Sequence, residues 1–277
     1  MRYLPNGKQM SEADAHTIHK IGIPSLVLME RAALQIVETM QKKNISTEKS
    51  LIVCGSGNNG GDGFAVARLL TEQGKHADVL FAGREASLSE ECRCQKQIVE
   101  NMGISVFTEF PDEEYTVIID AVFGVGLCRE ITGHYKDVID WMNLQDTEKV
   151  AVDIPSGICA TTGEILGTAF RADLTVCMAC VKLGCELFPG KSYAGESIPV
   201  AIGIDPNYFS NRLDVCYTFD KNELGKLLPA RMMNSHKGSY GKVLMITGSP
   251  GMAGAAFLSA CAAYTVGAGL VQILYSK

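Results

Sequence analysis

The run Leu51–Leu70, LIVCGSGNNGGDGFAVARLL, constrains this chain more than any other stretch. Leu51-Ile52-Val53-Cys54 is an apolar run of the length expected for a buried parallel strand. The segment Gly55-Ser56-Gly57-Asn58-Asn59-Gly60-Gly61-Asp62-Gly63 follows; its glycines let the backbone turn sharply and leave no Cβ to obstruct a ligand. Phe64, Val66, Ala67, Leu69 and Leu70 then recur with helical spacing. A strand, a glycine-rich loop and a helix start make an anion site, because unpaired N–H groups and the helix dipole both favour phosphate. Gly55, Gly57 and Gly60 satisfy GxGxxG, a weak pattern alone. The adjacent amides and the added glycines of Asn58–Gly63 exceed what a tight turn needs, so the segment reads as a ligand loop.

The flanking sequence supplies the sheet for such a loop. Ser11–Lys20 is predicted as a short helix capped by Ser11, with Glu12 and Asp14 at its N-terminal end, and Ser25–Lys42 as an amphipathic helix. Further strands are predicted at Asp78–Phe81, Ile104–Phe107, Thr116–Phe123, Val150–Ile154, Leu174–Met178 and Ile198–Ile202, with helices over Ser89–Met102 and Thr132–Met142. Strands alternating with helices imply βαβ units, and hence an α/β fold with a mostly parallel sheet covered on both faces. Such sheets bind ligands beyond the carboxyl ends of their strands. The glycine loop, Asp120 and Asp153 all fall at such ends.

Composition shifts near Ile204, and Asp205-Pro206-Asn207 with the polar run Asn211–Asn222 marks a connector. Three segments result: a first domain over residues 1–215, a connector over 216–235, and the start of a second domain over 236–277. The last segment holds a strand, Val243–Ile246, a second loop, Gly248–Gly254, an Ala-rich helix and the run Leu270–Leu274. It is too small to bury its own apolar face, so a domain continued elsewhere is expected. No charge lies between Lys242 and Lys277, but Pro250-Gly251 and Gly267-Ala268-Gly269 interrupt the stretch, which reads as strand-helix-strand and not as a membrane span. A net charge of −6 disfavours nucleic acid as a partner. The N-terminal sequence shows no apolar secretory core, and the ten cysteines show no pair of zinc-site spacings, which together suggest reduced thiols in a cytoplasmic protein. His16 and His19, three apart without a third ligand nearby, read as solvated surface.

Asp120 precedes Ala121-Val122-Phe123-Gly124, and Asp153 precedes Ile154-Pro155-Ser156-Gly157. A carboxylate at a sheet's end against apolar neighbours can act as an acid or base; its structural alternative is to cap the next turn. Two such acids facing a phosphate loop favour chemistry. Asp62 beside phosphate would repel it, and so ties down the loop or meets a hydroxyl. Asn59, Asp120 and Ser156 offer oxygen ligands, which suit a hard cation better than zinc.

The ordered motifs GSGNNGGDGFAVARLL, IIDAVFGVGL and VAVDIPSGI resemble the YjeF N-terminal domain family of NAD(P)H-hydrate epimerases. Pro24 with Leu28-Met29-Glu30 resembles the family's leading helix, and Lys182-Leu183-Gly184 with Gly203 its final part, so the likeness runs from about Met10 to Ile204. The resemblance implies a Rossmann-like three-layer αβα sandwich, often a homodimer, that epimerises the R form of hydrated NADH or NADPH to the S form. It implies a substrate loop at Asn58, Asn59, Gly60, Gly61 and Asp62 and a second at Gly124, Val125, Gly126, Leu127, Cys128, Arg129 and Glu130. It further implies a potassium site at Asn59, Asp120 and Ser156, and Asp153 as the acidic residue at the reacting ring. Val125 stands where the family commonly has Thr, and Ala33 where it commonly has Gly. His236–Gly241, Val243–Gly248 and Gly254-Ala255-Ala256 resemble the start of a ribokinase-like NAD(P)H-hydrate dehydratase, which implies a bifunctional parent using ADP or ATP. The later segment with that family's catalytic Asp is absent, so no dehydratase activity is expected of this chain. Two rival readings share the glycine loop: an NAD(P)-dependent oxidoreductase, in which Arg84-Glu85 reaches a ribose or its phosphate, and a non-catalytic nucleotide-binding or scaffold module.

Overall fold

A computed structural model describes residues 1–205, 207–227 and 230–275. Pro206 of the predicted boundary, residues 228 and 229 of the predicted connector, and the last two residues lie outside the described ones. The chain forms two units, Met1–Asp220 and Lys221–Lys277.

The first unit runs β1 (Arg2–Leu4), α1 (Gly7–His16), α2 (Ser25–Lys42), β2 (Lys49–Cys54), α3 (Asn58–Glu72), β3 (His76–Phe81), α4 (Glu90–Asn101) and β4 (Val106–Phe107). It continues with β5 (Val117–Ala121), α5 (His134–Leu144), β6 (Glu148–Val152), β7 (Leu174–Met178), α6 (Leu183–Glu186), β8 (Glu196–Val200) and β9 (Cys216–Thr218). Seven strands form one parallel sheet in the order β4-β3-β2-β5-β6-β7-β8. The chain leaves β2 towards β3 and β4, then returns to place β5 on the other side, so the switch point lies between β2 and β5.

Alternation along the strands makes the layers. Ile52 and Cys54 of β2, with Ile119 and Ala121 of β5, pack against Ile36 and Met40 of α2, Phe64 of α3 and Cys92 of α4. Leu51, Val53 and Ile118 point the other way, onto Val138, Ile139 and Met142 of α5 and onto Phe170.

Three local expectations change. The first helix starts earlier than predicted and is capped by Asn6, not Ser11: Gln9 N donates to Asn6 Oδ1 and Asn6 N to Gln9 Oε1, both at 2.9 Å, a reciprocal capping box. Its end widens into a π turn, Thr17–Ile21, stopped by Gly22 at φ 89°. His16 is half-buried against Tyr208, with ring centroids 5.1 Å apart, and is not the solvated surface residue expected. The third change concerns β9, placed by the sequence in a connector. It pairs antiparallel with β1, so the first unit extends to Asp220.

The second unit holds α7 (Lys221–Leu227), β10 (Lys242–Ile246), α8 (Ala253–Thr265) and β11 (Leu270–Leu274), with β10 and β11 paired in parallel. The uncharged stretch is therefore strand-helix-strand, and among the described residues no helix is long and apolar enough to cross a membrane. Cys54 and Cys177 are buried, whereas Cys261 is exposed on α8, a helix whose only buried residue is Ala256.

Candidate active site

The glycine segment is not a loop throughout. Helix α3 begins at Asn58 with Gly57 as its N-cap, so Asn58–Gly63 form its first turns. The glycines divide by role. A Cβ on Gly60 would lie 2.0 Å from the Gly55 carbonyl oxygen, one on Gly61 2.5 Å from Met29 Cε, and one on Gly63 2.6 Å from Ala121 Cβ. These three permit the helix to pack onto the sheet and α2, so Gly60 and Gly61 act through packing. Gly57 and Gly126 have nothing within 4 Å of such a Cβ, so they leave open space for a ligand. Among the described residues no side chain caps α3, so the first amides, which a helix leaves without internal partners, suit an acceptor.

This helix start opens onto a cavity of about 600 Å³ at the carboxyl ends of the strands. Of the predicted site residues, Asn58, Asn59, Asp62, Gly124 to Arg129 and Asp153 line it. Gly60, Gly61, Asp120, Ser156 and the exposed Glu130 do not.

Asp120 and Ser156 form a buried pair behind the wall. Ser156 Oγ donates to Asp120 Oδ1 at 2.6 Å and Ser156 N to Asp120 Oδ2 at 2.7 Å, while Val122 N donates to Oδ1 at 3.1 Å. Burial pushes the Asp120 carboxyl up to about 6, and these bonds oppose the rise. Phe123 N donates to Ser156 Oγ at 2.8 Å, which ties the second loop to the pair. Asn59 lies against Gly124, and its buried amide nitrogen has no partner among the described residues. Amide oxygen and nitrogen are interchangeable at such a site. A rotated amide presents an acceptor oxygen there, so with Asp120 and Ser156 the donor set fits a hard cation.

Asp153 adopts the left-handed region at φ 70° directly after β6. Met178 N donates to its Oδ1 at 3.0 Å, and Lys182 Nζ donates to the same oxygen. Lys182 is fully buried and also donates to the Met178 carbonyl at 3.0 Å. Burial alone would push its ammonium down, but Asp153 and its neighbours outweigh that and hold it above the usual lysine range.

Two more carboxyls line the same cavity. Asp62 is half-buried and lines the cavity; burial, then Asp153 and Asp14, push it well above the usual carboxylate range. Asp14, half-buried on α1, is pushed up to about 6 by burial first and Asp153 second, with Lys182 pulling the other way. Three carboxyls thus share one buried ammonium. Low-dielectric walls do not sustain the excess negative charge, so a proton is held on Asp62, while Asp14 gives up its own only near pH 6. The arrangement places a carboxylate and proton-bearing acids around one cavity.

Sequence reasoning missed Lys182 and Asp14 as site residues. A lone lysine between Val181 and Leu183, in an apolar stretch, is the available signal for the first. The second adjoins the buried stripe Met10, Ala13 and Thr17 of the first helix.

Comparison with known proteins follows this geometry. The YjeF-related protein N-terminus family matches residues 25–184. An NAD(P)H-hydrate epimerase of Oenococcus oeni is 42% identical over 201 residues, covering 72% of this chain and 96% of that protein. One of Limosilactobacillus reuteri is 44% identical over 197 residues, covering 70% and 93%. The bifunctional NAD(P)H-hydrate repair enzyme Nnr of Moorella thermoacetica is 35% identical over 287 residues, covering 97% of this chain but 53% of its own length. Among solved structures, that of yeast ynu0, YNL200c, superposes with a TM-score of 0.60 at 20% identity, over 72% of this chain and 87% of that one, and shows the shared fold. By the family match and by the relatives that align across most of their own length, the chain belongs to the YjeF-related protein N-terminus family.

Proposed function

We propose that the first unit epimerises the R form of hydrated NADH or NADPH to the S form, a cofactor-repair reaction. The observation that carries the reading is the pairing of a phosphate-ready helix start with a carboxylate–acid cluster in one cavity, in a chain whose relatives bear the epimerase name. The dinucleotide's phosphates lie over Asn58 and Asn59 at the α3 N-terminus, with Asp62 in the same wall. Residues Gly124–Glu130 form the second substrate loop, and Asp153 meets the reacting ring.

The chemistry needs no redox partner. The hydrated carbon carries a hydroxyl beside the ring nitrogen. The nitrogen lone pair forms a C=N bond as the C–O bond breaks, and the departing hydroxyl takes a proton to leave as water. Water then adds to the other face, losing a proton. Asp153, held by the Lys182 ammonium, suits the base and the partner of the transient cation, whereas Asp62 holds the proton that the leaving hydroxyl requires and Asp14, raised to about 6, exchanges protons near neutral pH. Asp153, which the resemblance implies as the acidic residue at the reacting ring, shares the proton transfers with its neighbours in this reading.

Asn59, Asp120 and Ser156 are proposed to hold potassium, whose charge offsets the buried Asp120 carboxylate and steadies the two loops. Two further assignments belong to this reading: a homodimer, supported by exposed Leu26, Val27 and Leu34 on α2, and a cytoplasmic setting, supported by ten free cysteines. The second unit is assigned to the start of an ADP- or ATP-dependent dehydratase in a bifunctional parent, in keeping with the Moorella relative, and no dehydratase activity is assigned to this chain.

The test uses mixed R and S hydrates with an S-specific dehydratase and its nucleotide. Once the S form is exhausted, adding this protein is expected to restart the rise in reduced-nicotinamide absorbance, faster with potassium than with sodium. The rise is lost in Asp153→Asn. No acceleration over the spontaneous rate would refute the epimerase assignment.

A further inference from the structure

Arg84 has no part in the reaction described above. It follows β3, the neighbour of β2 on the side away from Asp153, and it lines the cavity with Ser56, Gly57 and Ser87. Its backbone is stapled to the start of the glycine segment: Arg84 N donates to Ser56 Oγ at 2.7 Å, and Ser89 N donates to the Ser56 carbonyl at 2.9 Å. The approach requires Gly83, where a Cβ would lie 2.4 Å from Ser56 Oγ. The arginine is therefore held beside the helix start that receives the diphosphate. Its side chain is exposed, and among the described residues it has no carboxylate within ion-pair distance. Glu85, the one acid in the turn from Arg84 to Ser89, is held by Lys96 at 2.9 Å.

Sheet order gives this position a meaning. In doubly wound sheets the diphosphate sits over the helix that follows the central strand, and the adenosine ribose reaches the end of the adjoining strand, roughly 20 residues on. There an acid pairs with a free 2′-hydroxyl, while an arginine accommodates a 2′-phosphate. Here β2 is the strand that leads into that helix at the switch point and β3 the adjoining one, while Asp153 sets the ring end on the opposite side. The acid that would select a free ribose is neutralised by Lys96, and a planar guanidinium suited to bidentate phosphate binding faces the cavity instead.

We propose that Arg84 forms a subsite for the 2′-phosphate of an adenosine ribose, so that hydrated NADPH is preferred over hydrated NADH. The substrate rests on the epimerase reading; the subsite does not. The test compares kcat/KM for the two R hydrates in wild type, Arg84→Ala and Arg84→Lys. Wild type is expected to favour the NADPH hydrate by about tenfold or more, the worth of one charge-assisted phosphate contact. In Arg84→Ala the ratio falls towards one, chiefly through KM for the phosphorylated substrate, and Arg84→Lys restores part of it. An unchanged ratio in Arg84→Ala overturns the subsite while leaving epimerisation intact. Calorimetry with adenosine 2′,5′-bisphosphate and with 5′-AMP reads the subsite without turnover. Wild type is expected to bind the bisphosphate about tenfold more tightly, and Arg84→Ala to lose that difference. Equal affinity of wild type for the two nucleotides overturns the proposal even if both hydrates are epimerised.

Discussion

Among the described residues Lys182 is the only basic side chain that is fully buried, and Asp153 is the carboxylate that compensates it. Removing one partner of such a pair leaves an uncompensated charge and costs on the order of 3–5 kcal/mol. Asp153→Asn keeps the left-handed backbone, which Asn tolerates, so its expected loss of stability in urea denaturation is electrostatic. The double variant Asp153→Asn, Lys182→Met is expected to regain most of that stability yet stay inactive. A single variant as stable as wild type would show that Lys182 does not depend on Asp153. Asp14 behaves oppositely. Its carboxyl, raised by burial to about 6, keeps a proton that the unfolded chain releases near the ordinary value of 3.8. Between these values the native state binds more protons, so this group's stability contribution falls as pH rises through the window and is fully lost above it. Asp14→Asn is therefore expected to gain about 1–2 kcal/mol at pH 7 and nothing below pH ~4. Equal gains at both pH values would assign the effect to packing instead of ionisation.

At the scale of the element, α3 begins with glycines that lower its intrinsic propensity by about 0.5–1 kcal/mol each. Close packing offsets this cost, and the approach distances say which glycines it involves. Gly60→Ala drives a Cβ into the Gly55 backbone, which cannot yield as a side chain can. It is expected to destabilise by roughly 2–4 kcal/mol, in the range of severe overpacking, read as a lowered melting temperature. Gly57→Ala meets open space at φ −87°, so it is expected to fold within about 1 kcal/mol of wild type while weakening nucleotide binding. Comparable melting temperatures for the two variants would contradict this division. The sequence reading took all these glycines as a ligand loop because spacing reports flexibility, whereas the neighbours of Gly60, Gly61 and Gly63 are contributed by Gly55, Met29 and Ala121, only the first of which is close in sequence.

For the whole molecule, closure of the first unit depends on its two ends meeting. Strand β9 pairs with β1, Arg212 bridges Glu12 at 2.7 Å, and Gln9 donates to the Asp214 carbonyl at 2.7 Å. A chain ending after Asp220 is expected to fold and to match the full chain in epimerase turnover. One ending before Arg212 loses the strand and these ties, and with them the support of α1 and its Asp14. Equal activity of both truncations, in the coupled hydrate assay, would show the clamp to be dispensable. The second unit leaves Phe257, Leu258 and Val266 exposed, 66–79% by fraction, so limited proteolysis is expected to cut it before the first unit.

Short apolar runs alternating with helical segments, the glycine pattern and the two aspartates after strands are enough to place the sheet, its parallel sense and the glycine segment, because each reflects a backbone requirement met within a few residues. Helix starts are less legible: Asn6 caps α1 through a reciprocal contact with Gln9, and Ser11, the cap expected from sequence, lies inside the helix. The chemistry of the cavity lay further from reach. Asp14 comes from α1, Asp62 from α3, Asp153 from the end of β6 and Lys182 from the turn before α6, and no spacing relates them. The amino-acid sequence by itself determined which strands end in glycine or aspartate and therefore where a ligand can approach. Only the tertiary structure decided which acids hold protons, because that follows from burial and from the distance to a single ammonium, and both exist only once the sheet order has brought the four segments together.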